Sequence, residues 1–338
     1  MVSAWDTRMK AAGFSILPLM LAGALGLNFP SQPIKAQALD TIFTQETTGS
    51  IYNLNSTTGA SDLLGTYTNG ANPFFWNGAA YDSANGLMYV ADIGTTNYVA
   101  NTTITNNMYS FNPANPGAGV NLIGQISASA LTGAGWHNGD YYTIASGSSQ
   151  LVAYDLAGHT GGGTINALPN AITLGNLGTG VVGLSLGDLD FIGNTVYISA
   201  GTVDSQGNIS TTYTLYSYTI TSPTTATQNF AIAESTLPNG AVGVGIGFDS
   251  STGQLVLIDN RNNSSGLDYI DPTTGAITVG SDMSGPDSGG PGDYTTISPV
   301  PEPSSYAVIS LALLLALIAS QRFFLALRPA RNKSAVLI

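Results

Sequence analysis

Residues 39–303 read as an all-β body, a β-propeller of five blades closed by its C-terminal strand. Short alternating or apolar runs of four to seven residues, each bounded by turn signals, fill this stretch. A strand carrying tyrosine and ending in an Asx-rich turn recurs with starts 57, 43, 64 and 52 residues apart, the period of repeats that each hold about four short strands. Helical periodicity is confined to the two ends of the chain.

The strands follow from local pattern. Leu87-Met-Tyr-Val-Ala-Asp92, Thr195-Val-Tyr-Ile-Ser199 and Gln254-Leu-Val-Leu-Ile-Asp259 each stand behind a tight turn containing Asn-Gly, Gly-Asn or Thr-Gly. Such dipeptides supply the positive φ that a hairpin needs. The tyrosine unit appears as Ile51-Tyr-Asn-Leu-Asn55, Met108-Tyr-Ser-Phe-Asn112, Leu151-Val-Ala-Tyr-Asp155, Leu215-Tyr-Ser-Tyr218 and Leu267-Asp-Tyr-Ile-Asp271. In the most complete repeat the strands fall at 75–81, 87–92, 108–111 and 120–126. The N-terminus supplies only a second, third and fourth strand, at 41–46, 50–54 and 62–67. The missing first strand reads as Gly292-Asp-Tyr-Thr-Thr-Ile297, so both ends of the body build one blade. A β-sandwich or a six-bladed ring remains an alternative, because the wider spacings have room for further strands.

Both ends of the chain read as addresses. Arg8 and Lys10 precede the apolar stretch 11–27, and Ala36-Gln37-Ala38 follows, which predicts a secretory signal peptide over 1–38 with a helical core, removed by signal peptidase. The body then spans 39–298 and a tail 299–338. Within 39–303 one basic residue, Arg261, stands against 19 acidic ones, a formal charge of −18. That balance excludes nucleic-acid binding, which needs several Lys or Arg to release counterions, and disfavours anionic membrane surfaces. No cysteine occurs, which removes thiol catalysis, Cys-based zinc sites and disulfides.

Candidate chemistry is sparse, and no catalytic residue is assigned. Asp188 and Asp190 in Gly-Asp-Leu-Asp would share one strand face, as paired carboxylates for glycoside cleavage would. Asp82, Asp140, Asp249 and Asp293 sit near comparable first-strand positions, where turn chemistry is the plainer explanation. His137 and His159 lie in Gly-rich turns without ligand spacing, and Gly-x-Ser-x-Gly is absent. No cofactor is expected; Ca²⁺ on turn carboxylates and carbonyls is the one metal left open. Trp76 and Trp136 occupy corresponding places in two repeats, beside Asn. They are the candidate glycan-gripping rings; packing between blades is the alternative.

The tail carries the most specific pattern. Val300-Pro301-Glu302-Pro303-Ser304 precedes an apolar run over 307–320, with Arg322, Arg328, Arg331 and Lys333 beyond it. The run predicts a transmembrane helix, completed past Arg322 by 323–327 with the arginine snorkelling and the basic end held in the cytoplasm. This order of parts resembles the PEP-CTERM sorting signal of Gram-negative bacteria over 300–333. The resemblance implies that an exosortase, a membrane-embedded cysteine protease, reads Pro301, Glu302 and Pro303 and processes the tail. It implies an exported, non-catalytic surface or extracellular-matrix protein, associated with exopolysaccharide or biofilm. An ordinary C-terminal membrane anchor is the alternative for the tail. For the body, the alternatives are a secreted carbohydrate-active enzyme and a glycan-binding module. Tyr269-Ile-Asp-Pro-Thr-Thr-Gly275 is similar to the blade motif of bacterial surface propellers.

Overall fold

The computed structural model describes residues 40–45, 49–69, 72–73, 76–92, 104–128, 131–234, 242–249, 252–261, 264–283 and 292–296. All of them belong to the unit that begins at Leu39. Both expected terminal helices, and Pro301, Glu302 and Pro303, lie outside the described residues. Among the described residues no helix is long and apolar enough to cross a membrane.

The body is all-β. The chain first forms β1 (Asp40–Gln45), β2 (Ser50–Asn55) and β3 (Ser61–Thr66), then a short ladder of β4 (Thr68–Asn69) with β5 (Asn72–Pro73). Next come β6 (Trp76–Asp82), β7 (Leu87–Asp92), β8 (Ile104–Phe111) and β9 (Asn121–Ala128). They are followed by β10 (Leu131–His137), β11 (Asp140–Ala145), β12 (Gln150–Tyr154), β13 (Thr164–Ile165) and β14 (Ile172–Leu174). Four long strands follow: β15 (Val181–Ile192), β16 (Thr195–Asp204), β17 (Ile209–Ser222) and β18 (Thr225–Ala233). The last are β19 (Val242–Asp249), β20 (Gln254–Arg261), β21 (Ser264–Ile270), β22 (Ile277–Asp282) and β23 (Gly292–Thr296).

Consecutive strands pair antiparallel into sheets of order β23-β1-β2-β3, β6-β7-β8-β9 and β19-β20-β21-β22, with an eight-stranded sheet between the last two. In that sheet β10-β11-β12-β14 and β18-β17-β16-β15 join where β14 runs parallel to β18. The C-terminal β23 pairs with β1 over Thr41↔Thr296 to Gln45↔Gly292. The leading strands lie side by side: β6 against β10, β10 against β15, β15 against β19, β19 against β23 and β23 against β6. This arrangement is propeller-like.

The turns form for the reasons the sequence offers. The Asp82 carboxylate accepts from the N–H groups of Ala84 and Asn85, Asp271 from those of Thr273 and Thr274, and Asn55 from those of Thr57 and Thr58. These are Asx turns. Asn138 takes φ 53° and Gly139 φ 93°, which fits the Asn-Gly hairpin between β10 and β11.

Hydrophobic side chains fill slices between neighbouring sheets. Along β20, Leu255 and Leu257 pack toward Tyr197 and Leu215, whereas Val256 and Ile258 pack toward Tyr52 and Leu54. A strand buried on both faces needs such a continuous apolar run. Each fully buried Leu, Ile or Val contributes about 2 kcal/mol, so these slices, and not the glycine-lined centre, hold the sheets together. At that centre a Cβ on Gly133 would lie 2.3 Å from the Cα of Asp188, and one on Gly135 2.8 Å from the Phe191 ring. Tyrosine hydroxyls clasp neighbouring sheets at their ends: Tyr141 donates to the Gly78 carbonyl (2.8 Å), Tyr197 to Pro272 (3.0 Å) and Tyr269 to Ser56 (2.6 Å).

The sequence pattern did not disclose the parallel pairings. Between β12 and β14 the chain leaves its sheet, lays β13 alongside β9, and returns. This strap and the length of β15 and β16 account for the 64-residue spacing.

Candidate functional site

Asp188 and Asp190 do share one face of β15, and the backbone of the next sheet engages both. Asp188 is fully buried. Its Oδ1 accepts from the N–H of Leu189 (2.8 Å) and its Oδ2 from the N–H of Ile246 (3.0 Å). Asp190 repeats the pattern two residues on, accepting from Phe191 (2.8 Å) and from Phe248 (2.8 Å). β19 pairs with β20 on one side, and β15 runs beside it without forming a ladder. The N–H groups facing β15 would otherwise be buried donors without acceptors, a costly state. The two carboxylates serve in place of a neighbouring strand. Burial raises the pKa of Asp190 to about 7, while the hydrogen bonds from Phe191 and Phe248 act the other way.

The two candidate tryptophans sit in packed surroundings. Trp76 is fully buried at the start of β6, with Tyr67 (6.2 Å) and Tyr109 (5.8 Å) edge-on to it. This leaves no ring face for a sugar. Trp136, near the end of β10, is half-buried and stacks on Tyr89 with centroids 4.9 Å apart and planes 6° from parallel. One of its faces is therefore covered.

The next residue leads to a different place. His137 stacks on Phe191 across the β10–β15 boundary (4.7 Å, 10°), and the Tyr142 ring tilts against both. From here a cleft of about 470 Å³ opens between the two halves of the eight-stranded sheet. The β10–β11 hairpin contributes Asn138 and Asp140, the β15–β16 turn Asn194, and the β17–β18 turn Thr221 and Ser222. Ala153, Ile172 and Ile220 supply apolar lining, and Pro169 and Asn170 enter from the strap. Burial lowers the pKa of His137, which keeps the ring uncharged at neutral pH; Asn138 Nδ2 lies 2.9 Å from its Nε2. Burial, then the nearby Asp155 charge, raise the pKa of Asp140. Burial, then Asp140, raise that of Tyr142.

Tyr142, Asn194, Thr221 and Ser222 did not stand out in the sequence. The Asn-Gly turn ahead of Tyr141-Tyr142 was visible, but nothing local tells that residues 220–222 return to it. Asp82 and Asp249 end β6 and β19 and open the turns that follow; Asp249 also accepts from Ser56 Oγ (3.1 Å). Of Asp293 only the strand is described. His159 lies in the strap between β12 and β13 and is absent from the cleft lining. Among the described residues no group of three or more His, Asp or Glu is placed to hold a metal, and Ca²⁺ stays an open expectation.

No family model matches the chain, and no curated protein matches it. Several solved structures are similar in fold. A chain of the nidogen/laminin complex is 12% identical at a TM-score of 0.44, over 77% of this chain and 98% of that one. A putative 6-phosphogluconolactonase from Bacteroides fragilis is 12% identical at 0.41, over 75% and 84%. The periplasmic gluconolactonase of Pseudomonas aeruginosa is 8% identical at 0.40, over 71% and 81%. At these values neither ligand nor activity transfers to this chain.

Proposed function

We propose that this chain is an exported, non-catalytic cell-surface or extracellular-matrix protein whose body is a five-bladed propeller. The cycle of leading strands β6, β10, β15, β19 and β23 supports five blades, with β23 and β1–β3 forming the blade that closes the ring. The observation that carries the non-catalytic reading is the engagement of Asp188 and Asp190. The pair of carboxylates that the sequence offered for glycoside chemistry is held by the N–H groups of Ile246 and Phe248. A general acid or nucleophile must instead reach its substrate.

Delivery rests on the tail. Pro301, Glu302 and Pro303 are the recognition element for an exosortase, the helix after them is a transient inner-membrane anchor, and signal peptidase removes 1–38. Released or attached at the envelope, the body associates with exopolysaccharide. The test is the intact mass of the protein recovered from its host's envelope and medium. A chain running from Leu39 to near Pro303 is expected, and replacing Pro301, Glu302 and Pro303 with alanine should leave the tail in place. A native mass that retains residues 306–338 would reduce the tail to a plain anchor.

A further inference from the structure

We infer that the cleft between the β10–β11 hairpin and the β17–β18 turn is a binding site for a neutral saccharide. This deepens the non-catalytic reading by giving the body a ligand. The volume, about 470 Å³, falls in the range of small-molecule sites. Asn138 bonds to His137, and Thr221 and Ser222 bond within the β17–β18 turn, but three of the cleft's polar groups are uncommitted. Among the described residues the Asp140 carboxylate, the Tyr142 hydroxyl and the Asn194 amide have no hydrogen-bond partner, whereas the neighbouring Asp155 carboxylate is engaged by the Ala157 N–H.

The chemistry of the lining selects the ligand class. No Lys or Arg lines the cleft, and Asp140 and the neighbouring Asp155 make it negative; phosphate, sulfate and uronate groups are therefore repelled. The Asn194 amide and the Tyr142 hydroxyl each offer both a donor and an acceptor, the complement of a ring of hydroxyls, which also donate and accept. A carboxylate such as Asp140 accepts from two adjacent hydroxyls at once. Ile172 and Ile220, with the Tyr142 ring, give an apolar surface for the C–H faces of a pyranose. A cationic amine would be served by Asp140 alone and would leave the Tyr142 hydroxyl and the Asn194 amide unused.

Binding is read by isothermal titration calorimetry. The protein is titrated with cellobiose, maltose and lactose, and with glucosamine and digalacturonate as cationic and anionic probes. Expected is a saturable response to at least one neutral disaccharide, with Kd of about 1 mM or tighter. Asp140→Asn and Tyr142→Phe, two near-isosteric changes, should each weaken it about tenfold. The inference is overturned if no neutral disaccharide gives a saturable response, if both variants bind like the parent, or if glucosamine or digalacturonate binds best. Breakdown of a bound disaccharide would support the cleft and sink the non-catalytic reading. Absence of binding would remove the cleft and leave surface delivery standing.

Discussion

Asp188 and Asp140 belong to the same eight-stranded sheet, yet the fold treats them oppositely. Asp188 faces β19, whose N–H groups have no neighbouring strand, and both of its oxygens are taken. Asp140 sits past the end of β10, where β11 begins, and looks into a cleft. With Arg261 as the one basic residue of the body, cations cannot claim these carboxylates, and the backbone does so wherever a donor is exposed. In this acidic body a carboxylate at an unpaired strand edge becomes part of the framework. One that meets no N–H stays available to a ligand.

Four substitutions sharpen the contrast. The largest effect is expected from Asp188→Ala, which leaves the Ile246 N–H buried without an acceptor and opens a void. A loss of about 3 kcal/mol in urea unfolding is expected; a catalytic carboxylate would be removed at little cost or with a gain. Gly133→Ala acts on the same seam by collision, since its Cβ would meet Asp188 and its φ of 61° disfavours any side chain. About 2 kcal/mol is expected, read from the same urea midpoint.

Asp190 gives a pH signature. The folded protein keeps the Asp190 proton up to about pH 7, whereas the unfolded chain releases it near the ordinary value of 3.8. Between those limits the folded state binds more protons, so stability falls as pH rises, by up to about 1.4 kcal/mol per pH unit. Above about pH 7 both states are ionised and this slope ends. Subtracting the profile of Asp190→Asn isolates it; identical profiles for parent and variant would show that Asp190 ionises normally. The smallest effect belongs to the cleft: Tyr142→Phe should change stability by less than about 0.5 kcal/mol, because its hydroxyl bonds to nothing among the described residues.

Much of the framework was legible in the sequence because its determinants are local. Asn-Gly and Asx turns fix the hairpins at Asp82, Asn138 and Asp271, and the two-faced run 255–258 marks a strand buried on both sides. The pairing of residues 292–296 with β1 could be read from the missing first strand of the N-terminal repeat. Pairings that depend on tertiary approach left no such trace. β13 and β14 are two and three residues long, too short for any periodicity. Trp76 and Trp136 look alike in sequence, but the rings that cover them, Tyr67, Tyr109 and Tyr89, come from other segments of the chain. The shared face of Asp188 and Asp190 follows from alternation alone; their partners lie 58 residues away. The cleft was least legible, since it joins turns from three hairpins.

The most direct test of the framework role is residue-resolved hydrogen exchange at the amides of Ile246 and Phe248. Protection as strong as that of the β19–β20 ladder amides is expected in the parent protein, with Ile246 released first in Asp188→Ala. Exchange of both amides at loop-like rates in the parent would mean that Asp188 and Asp190 do not hold this seam, and would return them to the list of candidate catalytic groups.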